Sequence, residues 1–262
     1  MTTLRVERFV WKYLDSNMYL VTCGNNILVI DPVECDEALQ RCKEASSITV
    51  LLTHEHYDHI CGLNRLRELC LQKKETNEEP NKWEYWPLSI KDYGISEMIV
   101  DGRKNCYTDN GKGNSTCLVI ASKACSERIQ DNKANMSMYA VVMAEISGRL
   151  VPEHWLPFSC QRVDIEFING CTFRWMGHSV ECFSTPGHSV GSSSINIDDV
   201  LFVGDSILES DLMVKFPGSS KKIYQNFTIP LLKKKLPKVS LVFPGHGEIM
   251  KSEKALELIQ KV

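Results

Sequence analysis

Apolar residues in this chain fall into short runs of strand length, separated by polar turns and by stretches with helical spacing. Residues 18–23, 27–30 and 48–52 read as strands, and 35–45 and 63–71 as helices, the second with Leu63, Leu66 and 69–71 on one face. The pattern then recurs, with strands expected at 163–168, 172–175, 180–184, 194–197 and 201–203. A basic amphipathic stretch at 221–235 precedes an apolar strand at 239–243, and 252–261 reads as a closing helix with Ser252 as N-cap. Asn169-Gly170, between 163–168 and 171–175, is a hairpin signal, and Gly177-His178 marks the next turn. Two sets of strands, each followed by helices, suit a layered α/β protein with helices covering two central sheets.

One segment breaks the pattern. Residues 73–116 are polar, rich in Asn, Gly and Lys, and poor in periodicity, which predicts an inserted polar segment within a single domain spanning 1–262. A loop of that length in a compact domain is more often functional or mobile than neutral. Arg103, Lys104, Tyr107 and Lys112 lie within it as candidates for a lid.

Composition narrows the class. The chain has 262 residues, 43% hydrophobic and 24% charged, with a net charge of -3. These are values of an ordinary globular protein, and they supply no basic surface for nucleic acid. No run approaches the ~18 apolar residues of a membrane span. The N-terminus places charges where a signal peptide needs an apolar core, so the expected location is cytoplasmic. Eleven cysteines occur without a CxxC motif, in spacings that fit neither a zinc ribbon nor a disulfide framework. They are expected to be reduced thiols used as small core hydrophobes.

The chemistry concentrates in Thr53-His54-Glu55-His56-Tyr57-Asp58-His59, directly after an apolar strand. Imidazole and carboxylate together are donors for zinc, iron or manganese. Three other apolar strands run into a polar residue through glycine or proline turns: Thr185-Pro186-Gly187-His188, Gly204-Asp205 and Pro244-Gly245-His246-Gly247. Five of the seven histidines fall in these places.

The set HxHxDH, PGHS, GD and PGHG resembles the metallo-β-lactamase superfamily, in its glyoxalase II-like hydrolase branch. The resemblance implies a four-layer αββα sandwich of two similar halves, with metal at one sheet edge. By that resemblance His54, His56 and His188 hold a first ion, Asp58, His59 and His246 a second, and Asp205 bridges them. Two divalent ions are implied, zinc first, with iron or manganese as substitutes. The implied reaction is attack of a metal-bridging hydroxide on an ester, thioester or lactone of a small molecule, with Asp58 and Asp205 as catalytic carboxylates. Phosphodiester or nuclease chemistry and a mononuclear-iron, persulfide dioxygenase-like oxidation are the other activities such a ligand set implies. Zinc β-lactamases generally carry a cysteine where Asp205 stands, which argues against antibiotic hydrolysis.

The motif GHSV occurs at 177–180 and again at 187–190. The strand and the Thr-Pro-Gly ahead of His188 favour it as the ligand, His178 is expected at the solvated surface, and His154 is expected to be a packing or surface residue. Asp31, ending the strand 27–30, supports either the metal site from behind or a turn. Lys215, Lys221 and Lys222 either meet an anionic substrate or form a solvated basic face, the commoner cause of such a run. These assignments predict that Asp205→Ala lowers metal content per chain and activity, whereas His178→Ala leaves both intact, as read by elemental mass spectrometry and turnover.

Overall fold

The structure is a computed structural model that describes residues 3–77, 89–104, 117–210, 214 and 216–261. In chain order it contains β1 (Arg5–Val10), β2 (Asn17–Cys23), β3 (Asn26–Ile30), α1 (Asp36–Glu44), β4 (Ser47–Leu51), α2 (Tyr57–Ile60) and α3 (Leu63–Asn77). Then come β5 (Ile95–Val100), β6 (Arg103–Lys104), β7 (Cys117–Ser122), α4 (Lys123–Arg128), α5 (Ala140–Ser147), β8 (Ile165–Phe167), β9 (Gly170–Trp175) and β10 (His178–Ser184). The chain closes with β11 (Ser193–Ile197), β12 (Val200–Gly204), α6 (Lys221–Ile223), α7 (Ile229–Lys235), β13 (Leu241–Pro244), β14 (Met250–Lys251) and α8 (Ser252–Gln260).

The strands form two sheets, β1-β2-β3-β4-β7-β8 and β14-β13-β12-β11-β10-β9-β5-β6. Both faces of each sheet are covered, so the expected four-layer αββα sandwich is what the chain adopts. Tyr19, Leu28, Leu51 and Ile120 of the first sheet pack against Phe173, Trp175, Ile195 and Phe202 of the second. Their strand neighbours Leu20, Val29, Val50 and Val119 point the other way, onto Leu39, Leu63 and Leu66 of α1 and α3. Leu201, Val203 and Val242 take Leu232, Ala255 and Ile259 of α7 and α8 on the far side. Burial on both faces is why these strands read as continuous apolar runs instead of alternating ones. Eight of the ten described cysteines are buried, as expected of thiols used as core filler. Burial pushes the Cys42 and Cys160 thiols up to about 12, which leaves them unreactive.

Three sequence expectations are corrected. Asn169-Gly170 is no hairpin: β8 pairs with β7 in the first sheet, whereas β9 pairs with β10 and β5 in the second. The chain crosses between sheets there, and the carboxylate of Asp101 receives the backbone N–H groups of Ile168, Asn169 and Gly170 at 2.9, 2.7 and 3.1 Å. The hairpin lies one turn later, with Trp175 paired to His178 across Met176 and Gly177, both at positive φ.

The polar segment 73–116 is not a loop throughout. β5 within it pairs with β9, burying Ile95, Met98 and Val100 in the core between the sheets. A register shift between Ser96 and Ile99 masks the period-2 pattern that sequence reading depends on. Arg103 and Lys104 form the outer strand of the second sheet, while Tyr107 and Lys112 lie outside the described residues.

His178 is not solvated. It is buried at the start of β10, its Nδ1 2.7 Å from Asp198 Oδ2, where Asp198 also accepts the backbone N–H of Ser179. His154 is exposed, as expected. His178→Ala is therefore expected to lower the unfolding free energy by about 1 kcal/mol in urea titration, the scale of one lost hydrogen bond, with metal content unchanged.

Candidate metal centre

The chemistry-bearing residues sit where strands end. β4 runs into His54, His56, Asp58 and His59, β10 into His188, β12 into Asp205 and β13 into His246. A slip in the β12–β13 pairing between Phe202 and Gly204 turns the chain just before Asp205. Glycine is required beside two of these groups. A Cβ on Gly245 would lie 2.1 Å from Asp205 Oδ1, and one on Gly187, at φ +144°, would lie 2.5 Å from Tyr224 Cβ.

All seven predicted side chains converge. His54, His56 and His188 form one group and Asp58, His59 and His246 another, with the donor atoms of each group within 4.8 Å of one another. His56 Nδ1 faces His188 Nε2 at 2.9 Å, and His59 Nε2 faces His246 Nε2 at 3.2 Å. Asp58 Oδ2 is 3.3 Å from His246 Nε2 and 3.5 Å from His59 Nε2. Asp205 reaches both groups, with Oδ2 3.4 Å from His188 Nε2 and 3.5 Å from His246 Nε2, and Oδ1 3.5 Å from His59 Nε2.

Supporting contacts orient the rings. Thr53 Oγ1 donates to Asp31 Oδ2 at 2.5 Å and lies 3.0 Å from His54 Nδ1, so His54 directs Nε2 into the site. Asp31 also accepts the Thr53 N–H at 2.7 Å and lies 3.5 Å from His59 Nδ1, behind the histidine cluster. It holds φ +53° at the end of β3, a conformation uncommon outside glycine. His246 Nδ1 donates to Leu14 O at 3.1 Å, leaving Nε2 for the group.

The electrostatics divide the groups. Burial pushes His54 well below its usual value, with His59 and His56 adding to the effect, and burial with the nearby His188 brings His56 to about 3. Neutral imidazole is the metal-binding form. Burial opposes charge on His246 and His59 too, but Asp205 and Asp58 outweigh it and raise both. Burial alone would raise Asp58 and Asp205. His59 and His246 instead hold Asp58 at about 2, and His246, His59 and His188 keep Asp205 well below the carboxylate range. His54 Nε2 and Asp205 Oδ1 are buried without hydrogen-bond partners. Orphaned buried donors of this kind call for an explanation. Imidazole and carboxylate lone pairs turned on a common centre fit a divalent cation.

Two residues escaped sequence reading. Glu55, between His54 and His56, is fully buried and accepts from Arg128 Nε at 2.6 Å and from Ser189 Oγ at 2.8 Å. Its carboxylate thus ties the His54–His56 loop to the His188 loop, and Arg128 Nη2 extends the tie to the carbonyls of Ala134 and Pro217 at 3.0 and 3.2 Å. Tyr224 lies in a π-helical turn (Tyr224–Thr228) between α6 and α7, packs on Gly187 and donates to Ser206 O at 2.6 Å. It braces the His188 and Asp205 loops together. A glutamate inside a histidine motif was the one available signal for Glu55. Nothing in the sequence marked the π turn.

A cavity of about 490 Å³ opens over His56, Asp58, His188, Asp205 and His246. Neither Lys221 nor Lys222 is on it. Lys221 and Lys222 are exposed on α6, and Lys222 lines a separate cavity of about 950 Å³ with Lys123, Ile223 and Phe227. The solvated basic face accounts for them, and Lys215 lies outside the described residues. Arg149 is the cation on the histidine cavity, paired with Asp15 at 2.7 Å.

Comparison with known proteins agrees with the geometry. The model of the metallo-beta-lactamase superfamily matches residues 11–83, the stretch that carries Asp31 and the HxHxDH motif. Over that stretch the chain is similar to the metallo-β-lactamase superfamily. The crystal structure of BLEG-1 B3 metallo-beta-lactamase superposes with a TM-score of 0.65 at 17% identity, covering 97% of both chains. ETHE1 from Myxococcus xanthus gives 0.59 at 17% identity, over 98% of this chain and 84% of that one. The hydroxyacylglutathione hydrolase of Klebsiella pneumoniae is 20% identical over 223 residues, 84% of this chain. The match spans 55% of that relative, so this chain accounts for about half its length. Members of the superfamily bind divalent metals through His and Asp clusters of the kind assembled here.

Breaking the Glu55–Arg128 pair tests the brace. Glu55→Ala is expected to cost about 3 kcal/mol of unfolding free energy in metal-free protein, as for a buried ion pair that loses one partner. It should also weaken metal binding about tenfold in a competition titration with a chelating dye.

Proposed function

We propose that this chain is a metal-dependent hydrolase of a small-molecule ester, thioester or lactone, with His54, His56 and His188 holding one ion and Asp58, His59 and His246 a second. The observation that carries this reading is the convergence of both trios on Asp205, whose Oδ2 lies between His188 and His246 while its Oδ1 faces His59. Divalent ions at such a site polarise a substrate oxygen and make hydroxide available near neutral pH. Water then adds across the acyl C–O or C–S bond, giving a carboxylic acid and an alcohol or thiol.

The chain's own residues define the rest. Asp205 sets the spacing of the two groups, and the brace of Glu55 and Tyr224 keeps the loops from drifting apart. Asp58 lines the cavity as a carboxylate held ionised by His59 and His246, placed to receive a proton when the substrate bond rearranges. Tyr57, Met136 and Phe216 give the cavity apolar walls that limit water around the reacting bond. The likeness to a hydroxyacylglutathione hydrolase supports thioesters as the first compounds to try. No helix among the described residues is long and apolar enough to cross a membrane.

The test combines metal content with turnover. Untagged protein purified without chelator is expected to carry near two zinc ions per chain and to hydrolyse members of a thioester, ester and lactone panel. Chelation should abolish turnover and added zinc restore it. Folded protein that holds no metal and cannot be loaded would overturn the proposal, and about one iron per chain would redirect it to oxidative chemistry.

A further inference from the structure

The surface beside the cavity is unusually apolar. Seven of the sixteen exposed large hydrophobic side chains among the described residues lie between Met138 and Leu156. Val142 is 54% exposed, Ile146 and Leu150 77%, and Leu156 78%. Singly scattered apolar residues need no explanation, but a cluster of this kind on one face marks a binding surface. Its centre is α5, with the sequence AVVMAEIS and Glu145 as its one charged residue.

The geometry of α5 connects this face to the reaction centre. Ala140 and Ala144 are buried and set the helix on the body of the protein. Met143 lines the cavity above the histidines, beside Leu14, Met136 and Phe216. Ile146 follows Met143 by three residues and Val142 by four, so the three form one continuous strip from the cavity wall outward. Gly148, at φ +66°, ends the helix, with the Arg149 N–H donating to Ala144 O at 2.8 Å. That turn returns the chain to the cavity rim, where Arg149 meets Asp15. Polar groups therefore stand at the rim and an apolar track leads away from it.

We propose that the substrate is an amphiphile: an ester, thioester or lactone carrying an apolar chain of about eight or more carbons, which leaves the cavity over Met143 and lies along Val142 and Ile146. This rests on the hydrolase reading above. The occupant follows from continuity, because the wall of the reaction cavity and the exposed strip belong to the same helix.

The test uses the zinc-loaded protein and acyl thioesters of two, six and ten carbons. The kcat/KM is expected to rise at least tenfold from two to ten carbons, since each buried methylene adds to binding. Ile146→Glu should reduce that gain to about twofold or less, chiefly through KM. Ile223→Glu, an exposed apolar position on α6, should preserve it. Binding of 1-octanol, followed by calorimetry, provides a readout without turnover and should weaken at least fivefold in Ile146→Glu. A flat chain-length series in an active enzyme, or a gain untouched by Ile146→Glu, would overturn the proposal and leave the hydrolase reading standing. No turnover on any compound, with octanol binding that depends on Ile146, would sink the hydrolase reading and keep the apolar chain site. A dimer in light scattering that Ile146→Glu dissociates, or vesicle binding that it abolishes without affecting octanol, would assign the strip to a second copy or a lipid surface and overturn the proposal.

Discussion

Seven ionisable side chains meet in a space largely removed from water, and their desolvation governs the structure around them. Burial by itself drives the imidazoles toward neutrality and the carboxylates toward protonation. In the metal-free protein the conflict is eased by pairing acidic groups with His59 and His246, while His54 and His56 remain neutral with lone pairs turned inward. A divalent cation would replace the shared protons and complete the orphaned atoms in one step. The braces behind the site follow from the same constraint, because donors that repel or misalign when free must be held by something else. Asp31 with Thr53, Glu55 with Arg128, and Leu14 O with His246 supply that hold from three directions.

The architecture serves this arrangement by ending its strands together. β4, β12 and β13 each deliver ligands from the carboxyl end of a strand in a parallel pair, the edge where α/β sheets mount their sites. Helices on the outer faces keep both sheets dry, which makes the strand ends rigid and leaves variation to the loops. α5 and the turn after it supply Met143 and Arg149 to the wall of the cavity above the clustered histidines.

The converging His and Asp side chains and the two-sheet plan were legible in the sequence because each depends on local signals. Short apolar runs ending in Gly-Asp or Pro-Gly-His declare both the strand and the turn that aims the side chain. What escaped was set by distant partners. Asn169-Gly170 has the composition of a hairpin, but its flanking strands belong to different sheets, a fact that only β5, β7 and β10 decide. His178 has the same four-residue motif as His188, and its burial depends on Asp198, twenty residues away. β5 was hidden by a register shift, and the π turn at Tyr224 has no periodic signature.

The contact between His246 and Leu14 spans 232 positions of sequence. Ser16 and Asn17 join it, the first through a β-bridge to His246 and the second by donating to Gly245 O. During synthesis the first sheet and the HxHxDH loop can take shape before the segment carrying His246 leaves the ribosome. His188 is then a recent arrival, and His246 has yet to appear. An ion captured at that stage meets an incomplete cage and can leave it. Closure of the group waits for β13 and the turn that carries His246, so the order of translation itself delays completion of the cage.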